Sequence, residues 1–173
     1  MGPRIPGGGV AAQWYVPRVV EPPVRDAGPE DLAFLVVLAA MFGQAAEGPA
    51  VVAWMREDSD FGLVALDDNE VPIGAVWWRI ATGPSEGDPW PDMREVFLGV
   101  TPARQREGIG PFLLDQLIEK ARADPALRRL VGRIVEDPGR AMKVEEMLTV
   151  RGFSANRSYV SRGLGVLWVL DVE

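Results

Sequence analysis

The 173-residue chain contains neither cysteine nor histidine. Their absence removes disulfides, thiolate nucleophiles, iron–sulfur ligation, thiolate or imidazole zinc sites and any Ser-His-Asp triad. What is left is the chemistry of carboxylates, Tyr, Ser/Thr, Lys and backbone groups, with carboxylate-bound Mg²⁺ as the remaining metal chemistry; no metal site is expected. Lysine and arginine number 18 against 25 acids, a formal charge of −7. The basic residues are scattered, so the clustered cations that a nucleic-acid partner requires are missing. No apolar run is long enough for a bilayer. Leu32 to Phe42 extends about 16 Å as a helix, against a hydrocarbon core of ~30 Å. Met1 to Gly9 has prolines and three consecutive glycines but no apolar stretch ending in a cleavage site, so it does not read as a secretory signal. These absences lead us to expect a flexible tail over 1–17, one domain over 18–173, no membrane partner and a cytoplasmic location.

What is present fits one globular core, with 47% apolar and 25% charged residues, neither depleted as in disordered chains nor enriched as in membrane ones. Arg18 to Arg25 reads as a first strand. Gly28-Pro29-Glu30-Asp31 then opens a helix, with proline and acids in its first turn, that is expected to run to about Ala45. A short helical stretch over Ala50 to Glu57 follows. Phe61 to Leu66 and Val71 to Ile80, joined by Asp67-Asp68-Asn69-Glu70, read as an antiparallel hairpin. Ala81 to Asp92, with three prolines and two glycines, reads as a loop of functional length. Arg94 to Val100 is a strand, Gly108 to Ala123 an amphipathic helix, Arg129 to Val135 a strand and Pro138 to Arg151 a helix stopped by Gly152. Ser158 to Val172 supplies one or two closing strands. Antiparallel strands followed by a βαβ crossover predict a mixed sheet in which Arg94 to Val100 and Arg129 to Val135 lie parallel and adjacent.

The strand-to-helix passage holds the most informative residues, Val100-Thr101-Pro102-Ala103-Arg104-Gln105-Arg106-Glu107-Gly108-Ile109-Gly110. Glycines allow close approach of a ligand to the backbone. The first amides of the following helix lack intrahelical acceptors and lie at the positive end of its dipole. Such a loop cradles phosphate. No Lys-Ser/Thr follows, so it is not a Walker loop, and the third glycine and ribose acid of a dinucleotide fingerprint are missing.

Gln105, Gly108 and Gly110 match Gln/Arg-x-x-Gly-x-Gly/Ala, and the chain resembles the GNAT superfamily of acyl-CoA N-acyltransferases from Arg18 through the pair Gly152-Phe153. The resemblance implies a single α/β (α+β) GNAT-like domain. Its sheet would be mixed and mostly antiparallel, with a central parallel pair splayed to admit CoA and helices on both faces. It also implies acetyl-CoA as acyl-donor cosubstrate, its pyrophosphate held by the amides of Gln105, Arg106, Glu107, Gly108, Ile109 and Gly110. The pantetheine arm would pair with the backbone of Leu98, Gly99 and Val100 as an added strand. Two departures stand out. Pro111 removes an amide after the second glycine, in a first turn where proline fits sterically, and Glu107 stands where a lysine is frequent, with Arg106 positioned to compensate.

For catalysis the resemblance implies direct attack of an amine on the thioester. The family's usual tyrosine position is Leu148 here and its usual asparagine position Ala141; a register one turn longer moves these to Glu145, Pro138 and Ala141, still without tyrosine. Tyr159 is the candidate acid, set against a plain packing role for its ring. Glu95 and Glu136 are the candidate bases, Glu95 slightly preferred, and either would need a pKa raised by partial burial. Trp77 and Trp78 point to opposite sheet faces and read as core, with one a candidate pocket wall. The leading function is acetyl transfer from acetyl-CoA to a primary amine of a small molecule or peptide. A non-catalytic acyl-CoA sensor and a structural domain with a vacant loop are the alternatives, and a homodimer is compatible with the sequence.

Overall fold

The structure, a computed structural model, describes residues 21–41, 61–82, 89–134, 138–156 and 166–172. The hairpin forms first in the chain's logic. Asp67 accepts the amides of Asn69 and Val71 at 2.8 and 2.9 Å, closing the turn between β2 (Phe61–Leu66) and β3 (Pro72–Thr82). Side-chain capping of a turn in this way is the reason aspartate favours such positions. β1 (Val24–Asp26) pairs antiparallel with β2, and β3 with β4 (Pro89–Val100). β5 (Arg129–Ile134) pairs parallel with β4, while β7 (Val166–Asp171) lies antiparallel between β5 and β6 (Ser154–Asn156). The sheet order is β1-β2-β3-β4-β5-β7-β6. The expected mixed sheet and its central parallel pair are both found.

Helices cover both faces. α1 (Leu32–Met41) lies on one, packing Leu35, Leu38 and Ala39 against Val64, Ala75, Trp77 and Phe97. It starts from a tight turn at Pro29–Asp31. There the buried Asp31 accepts both guanidinium nitrogens of Arg25, at 2.6 and 2.9 Å, and the amide of Gly28 at 2.9 Å. Burial of this carboxylate is tolerated because each oxygen has a charged or amide donor. α2 (Ile109–Arg122) and α3 (Pro138–Val150) lie on the opposite face; Leu113, Leu114, Leu117 and Ala121 of α2 join Val76, Trp78, Leu130, Leu148 and Trp168 in the main core. Gly152, at a φ of 87°, ends α3, with the Phe153 amide returning to the Leu148 carbonyl at 3.1 Å. That is the left-handed cap for which glycine is suited.

Three boundaries differ from expectation. The segment 81–92 is not one loop. Ala81 and Thr82 continue β3 past a register shift and pair with Trp90 and Pro89, so β4 begins five residues before Arg94. Prolines are admitted here because β5 does not start until Arg129, opposite Met93. Pro89 to Pro91 therefore precede the β4–β5 ladder, where a missing N–H costs no bond to β5. The closing strands also begin earlier than Ser158, directly after Phe153, since β6 is Ser154–Asn156. The first strand starts at Val24 rather than Arg18, since Glu21 to Pro23 are not strand, while the expected end of α1 near Ala45 lies outside the described residues. The tail over 1–17 and the helical stretch Ala50 to Glu57 lie outside the described residues.

Candidate functional site

The parallel ladder between β4 and β5 runs from Met93 opposite Arg129 to Val96 opposite Gly132 and stops there. Both strands continue, β4 to Val100 along β3 and β5 to Ile134 along β7. The pair therefore parts after four rungs. Which groups face the gap follows from alternation. The Thr101 amide donates to the Ile73 carbonyl of the β3 side at 2.9 Å, so the N–H and C=O groups of Leu98 and Val100 point the other way, toward the parted side. Gly99 points its backbone groups to β3. The Val100 carbonyl receives the side-chain amide of Gln105 at 3.1 Å. Leu98 N–H and C=O and Val100 N–H remain as strand-edge groups along the gap.

The edge is continuous with the helix N-terminus. Arg106 has a φ of 72°, and Gly108, the N-cap of α2, a φ of 85°. No side chain caps this terminus. The first intrahelical bond is Phe112 N–H to the Gly108 carbonyl, 3.1 Å. The amides of Gly108, Ile109 and Gly110 are thus without intrahelical acceptors, and Pro111, third in the helix, removes a donor that the helix would not have used. No acid occupies the first turn. Glu107, whose charge seemed to oppose an anion, is bound by Arg104 Nε at 2.8 Å, while Arg106 is exposed beside it. The donor set suits a pyrophosphate: unsatisfied amides, a favourable dipole and one exposed guanidinium.

Gly132 marks the crotch of the parting. A Cβ placed on it meets no atom within 4 Å, and on Gly110 it would make only ordinary contacts at 3.7 and 3.8 Å with Val100 and Leu98. Among the described residues the space beside Gly132 is open, whereas Gly110 is already in contact distance of the β4 side chains.

Glu95 is 4% exposed and lies on the α1 face of β4 with Phe97, across the strand pair from Arg79. Its Oε2 accepts Arg79 Nε and Nη2 at 3.2 and 3.0 Å. The same guanidinium lies 4.9 Å over the Phe97 ring, which stacks on Trp77 at 5.5 Å. The Arg79–Glu95 pair was missed by sequence reasoning. The signal was present as opposite charges on neighbouring strands, but it was hidden by the misplaced start of β4, which left the register unread. Trp77 and Trp78 are both core, on opposite faces, as expected. Leu148, at the usual tyrosine position, is buried in the main core rather than beside the gap. Glu136 and Tyr159 lie outside the described residues. Among the described residues no helix is long and apolar enough to cross a membrane.

This geometry can be set beside known proteins. The profile of the acetyltransferase (GNAT) family matches residues 36–144, well over half of the chain and spanning both β4 and the cradle. The chain belongs to the GNAT acetyltransferase family. No curated protein matches it in sequence. Solved GNAT structures share its fold. The GNAT domain of PAT from S. lividans is 21% identical with a TM-score of 0.65, covering 86% of this chain and 89% of that one. A phosphinothricin acetyltransferase from Sinorhizobium meliloti, solved with acetyl-CoA, is 16% identical with a TM-score of 0.66, covering 86% and 87%. The spermidine/spermine N-acetyltransferase SpeG of Vibrio cholerae, in mutant forms, is 14% identical with a TM-score of 0.61, covering 87% and 94%. Within this family, the parted β4–β5 pair, helices on both faces and the glycine loop form one GNAT-like domain.

Proposed function

We propose that this GNAT protein is an acetyl-CoA-dependent N-acetyltransferase that acetylates a primary amine of a small molecule or peptide by direct attack. The observation that carries the reading is the continuity of two features: the strand edge left by the end of the β4–β5 ladder and the uncapped amides of α2. Gly108, Ile109 and Gly110 amides, with Arg106, would hold the pyrophosphate. The Leu98 carbonyl and the Val100 N–H would hold the amide-bearing arm as an added strand does. Acetyl-CoA supplies an activated acetyl thioester.

In the reaction the amine lone pair bonds to the thioester carbonyl carbon, the C–S bond breaks, and the amine loses one proton while the departing sulfur ends as a thiol. Neither histidine nor cysteine is needed. The Leu98 N–H, at the gap and without a strand partner on that side, is placed to donate to the carbonyl oxygen as negative charge develops. Glu95 is our candidate for the group that takes the amine proton, and Arg79 positions it through two hydrogen bonds. Glu136 and Tyr159 remain candidates for the second base and the acid.

The alternative, a non-catalytic acyl-CoA sensor, is favoured by two observations: the Glu95 carboxylate is engaged by a guanidinium, and the residue at the usual tyrosine position, Leu148, is in the core. Calorimetric titration of acetyl-CoA into the wild type and Gly108→Trp, followed by thiol release with a panel of amines, separates the readings. Binding lost in the folded variant, together with amine-dependent thiol release, supports the enzyme. Binding without release supports the sensor, and no binding refutes both.

A further inference from the structure

On the α1 side of the sheet, beyond the part that α1 covers, lies a cavity of about 730 Å³. This is within the roughly 300–1,000 Å³ of small-molecule sites. Its floor is made by Val131 and Leu167, both buried, with Val169 beside them, and Trp90 and Met93 from the start of β4 form one wall. Opposite that wall stands the edge strand β6, with Ser154 and Asn156 on the same face as Val169. One end is bounded by the exposed ion pair of Arg129 Nε with Asp171 Oδ1 at 2.8 Å.

The other end lies on the side toward which β4 and β5 part. Met93 is opposite Arg129 and Glu95 opposite Val131, so the cavity floor and the Glu95 carboxylate share one sheet face in successive register positions. The ladder parts at Val96 and Gly132, about 10 Å along the strands from the Arg129–Asp171 end at 3.3 Å per residue.

Resting on the acetyltransferase reading, we infer that this cavity holds the acceptor, and that the acceptor is a small primary amine with a compact apolar or aromatic body. The amine end lies toward Glu95 and the parted strands, and the body lies on Val131 and Leu167 between Trp90 and Met93. An indole or phenyl ring suits these walls, since a tryptophan face and a thioether both make favourable contacts with aromatic edges and faces. A hydroxyl or ring N–H at the far end meets Asp171. A polycation would lay its second ammonium on the apolar floor, where the one acid among the described lining residues, Asp171, is already paired with Arg129.

The test uses the full-length protein with saturating acetyl-CoA, monitoring thiol release with 2-phenylethylamine and tryptamine against spermidine and a lysine peptide. We expect kcat/KM for the two aromatic amines at least tenfold above the charged acceptors, the discrimination that one or two methylenes in an apolar pocket can give. Ser154→Trp, which fills the cavity from the exposed edge, should raise KM for 2-phenylethylamine at least tenfold while the calorimetric Kd for acetyl-CoA stays unchanged. Met93→Gln, on the opposite wall, is the second variant should the first fail to fold. Equal or better turnover of spermidine or the peptide overturns the inference and leaves the acetyltransferase reading intact. So does an unchanged KM in both variants. Acetyl-CoA binding with no amine turned over also overturns it, and failure of acetyl-CoA to bind removes the acetyltransferase reading and the inference together.

Discussion

Gly132→Val sets the fold's interest against the ligand's at a single position. A Cβ there meets nothing within 4 Å, and the residue is the last rung of the β4–β5 ladder. Within the protein alone the substitution should stabilise. Glycine in a strand costs roughly 0.5–1 kcal/mol relative to alanine, and valine is among the better strand residues on a scale spanning about 1 kcal/mol. A net gain of about 0.5–1 kcal/mol corresponds to a rise in Tm of about 1–4 °C for a chain of this size. If the open space is where the pantetheine arm passes, two methyl groups obstruct it. Losing even about 1.4 kcal/mol of binding raises Kd tenfold. Thermal unfolding by circular dichroism and calorimetric titration with acetyl-CoA are to be run on the same preparation. A variant with Tm unchanged or higher and Kd raised at least tenfold is expected. A more stable variant that binds acetyl-CoA as the wild type does would refute the assignment of the gap to the cofactor, whatever the family.

Other perturbations separate chemistry from scaffold. Glu95→Gln keeps the size of the side chain but removes the charge; as a general base its loss should lower kcat by about 10²–10⁴, with Kd for acetyl-CoA unchanged in titration, and an unaltered kcat would exclude the role. Arg25→Met strands the buried Asp31 carboxylate on the Gly28 amide alone, and by analogy with broken buried pairs should cost about 2–4 kcal/mol in urea unfolding. The Arg25 guanidinium is held above its ordinary value, chiefly by its hydrogen bond to Asp31 against an opposing effect of burial. A raised pKa means that this stabilisation is complete below the unfolded-state value and fades only as pH climbs through the folded one. Stability measured between pH 7 and 10 should therefore show no loss from this pair. Arg151→Ala removes a guanidinium that binds both Asp115 oxygens, at 2.6 and 2.8 Å, and the Pro111 carbonyl at 3.3 Å. It should cost about 1–2 kcal/mol and, by freeing the first turn of α2, weaken acetyl-CoA binding; unchanged affinity would show that the turn is rigid without it.

Local signals made much of this fold legible. The acidic turn Asp67 to Glu70 fixed the hairpin, and the stripe Leu113, Leu114, Leu117, Ile118 and Ala121 fixed the crossover helix. Between them they imposed the parallel pair. What the sequence hid was non-local. Pro89 and Pro91 look like loop residues unless one knows that β5 starts too late to need their amides. Ser154 to Asn156 has no strand character of its own and becomes a strand only by lying against Leu167 to Val169. The anion cradle was readable because its residues are contiguous. Its charge balance was not, since Arg104 reaching Glu107 depends on the turn's conformation. The catalytic half was the least legible, because Glu95 and Arg79 are sixteen residues apart and meet only through the register of β3 and β4.

Among the described residues four rungs, Met93 to Val96 against Arg129 to Gly132, are the only ladder between the sheet's first four strands and its last three. Mechanically the sheet is two plates joined by a short seam, already unzipped along half its length. Pulling the halves apart should rupture the protein at this seam first, and a molecule lying along the open edge would act as a splint across it. Optical-trap unfolding with and without acetyl-CoA would then show the rupture force, rather than the number of steps, rising with ligand.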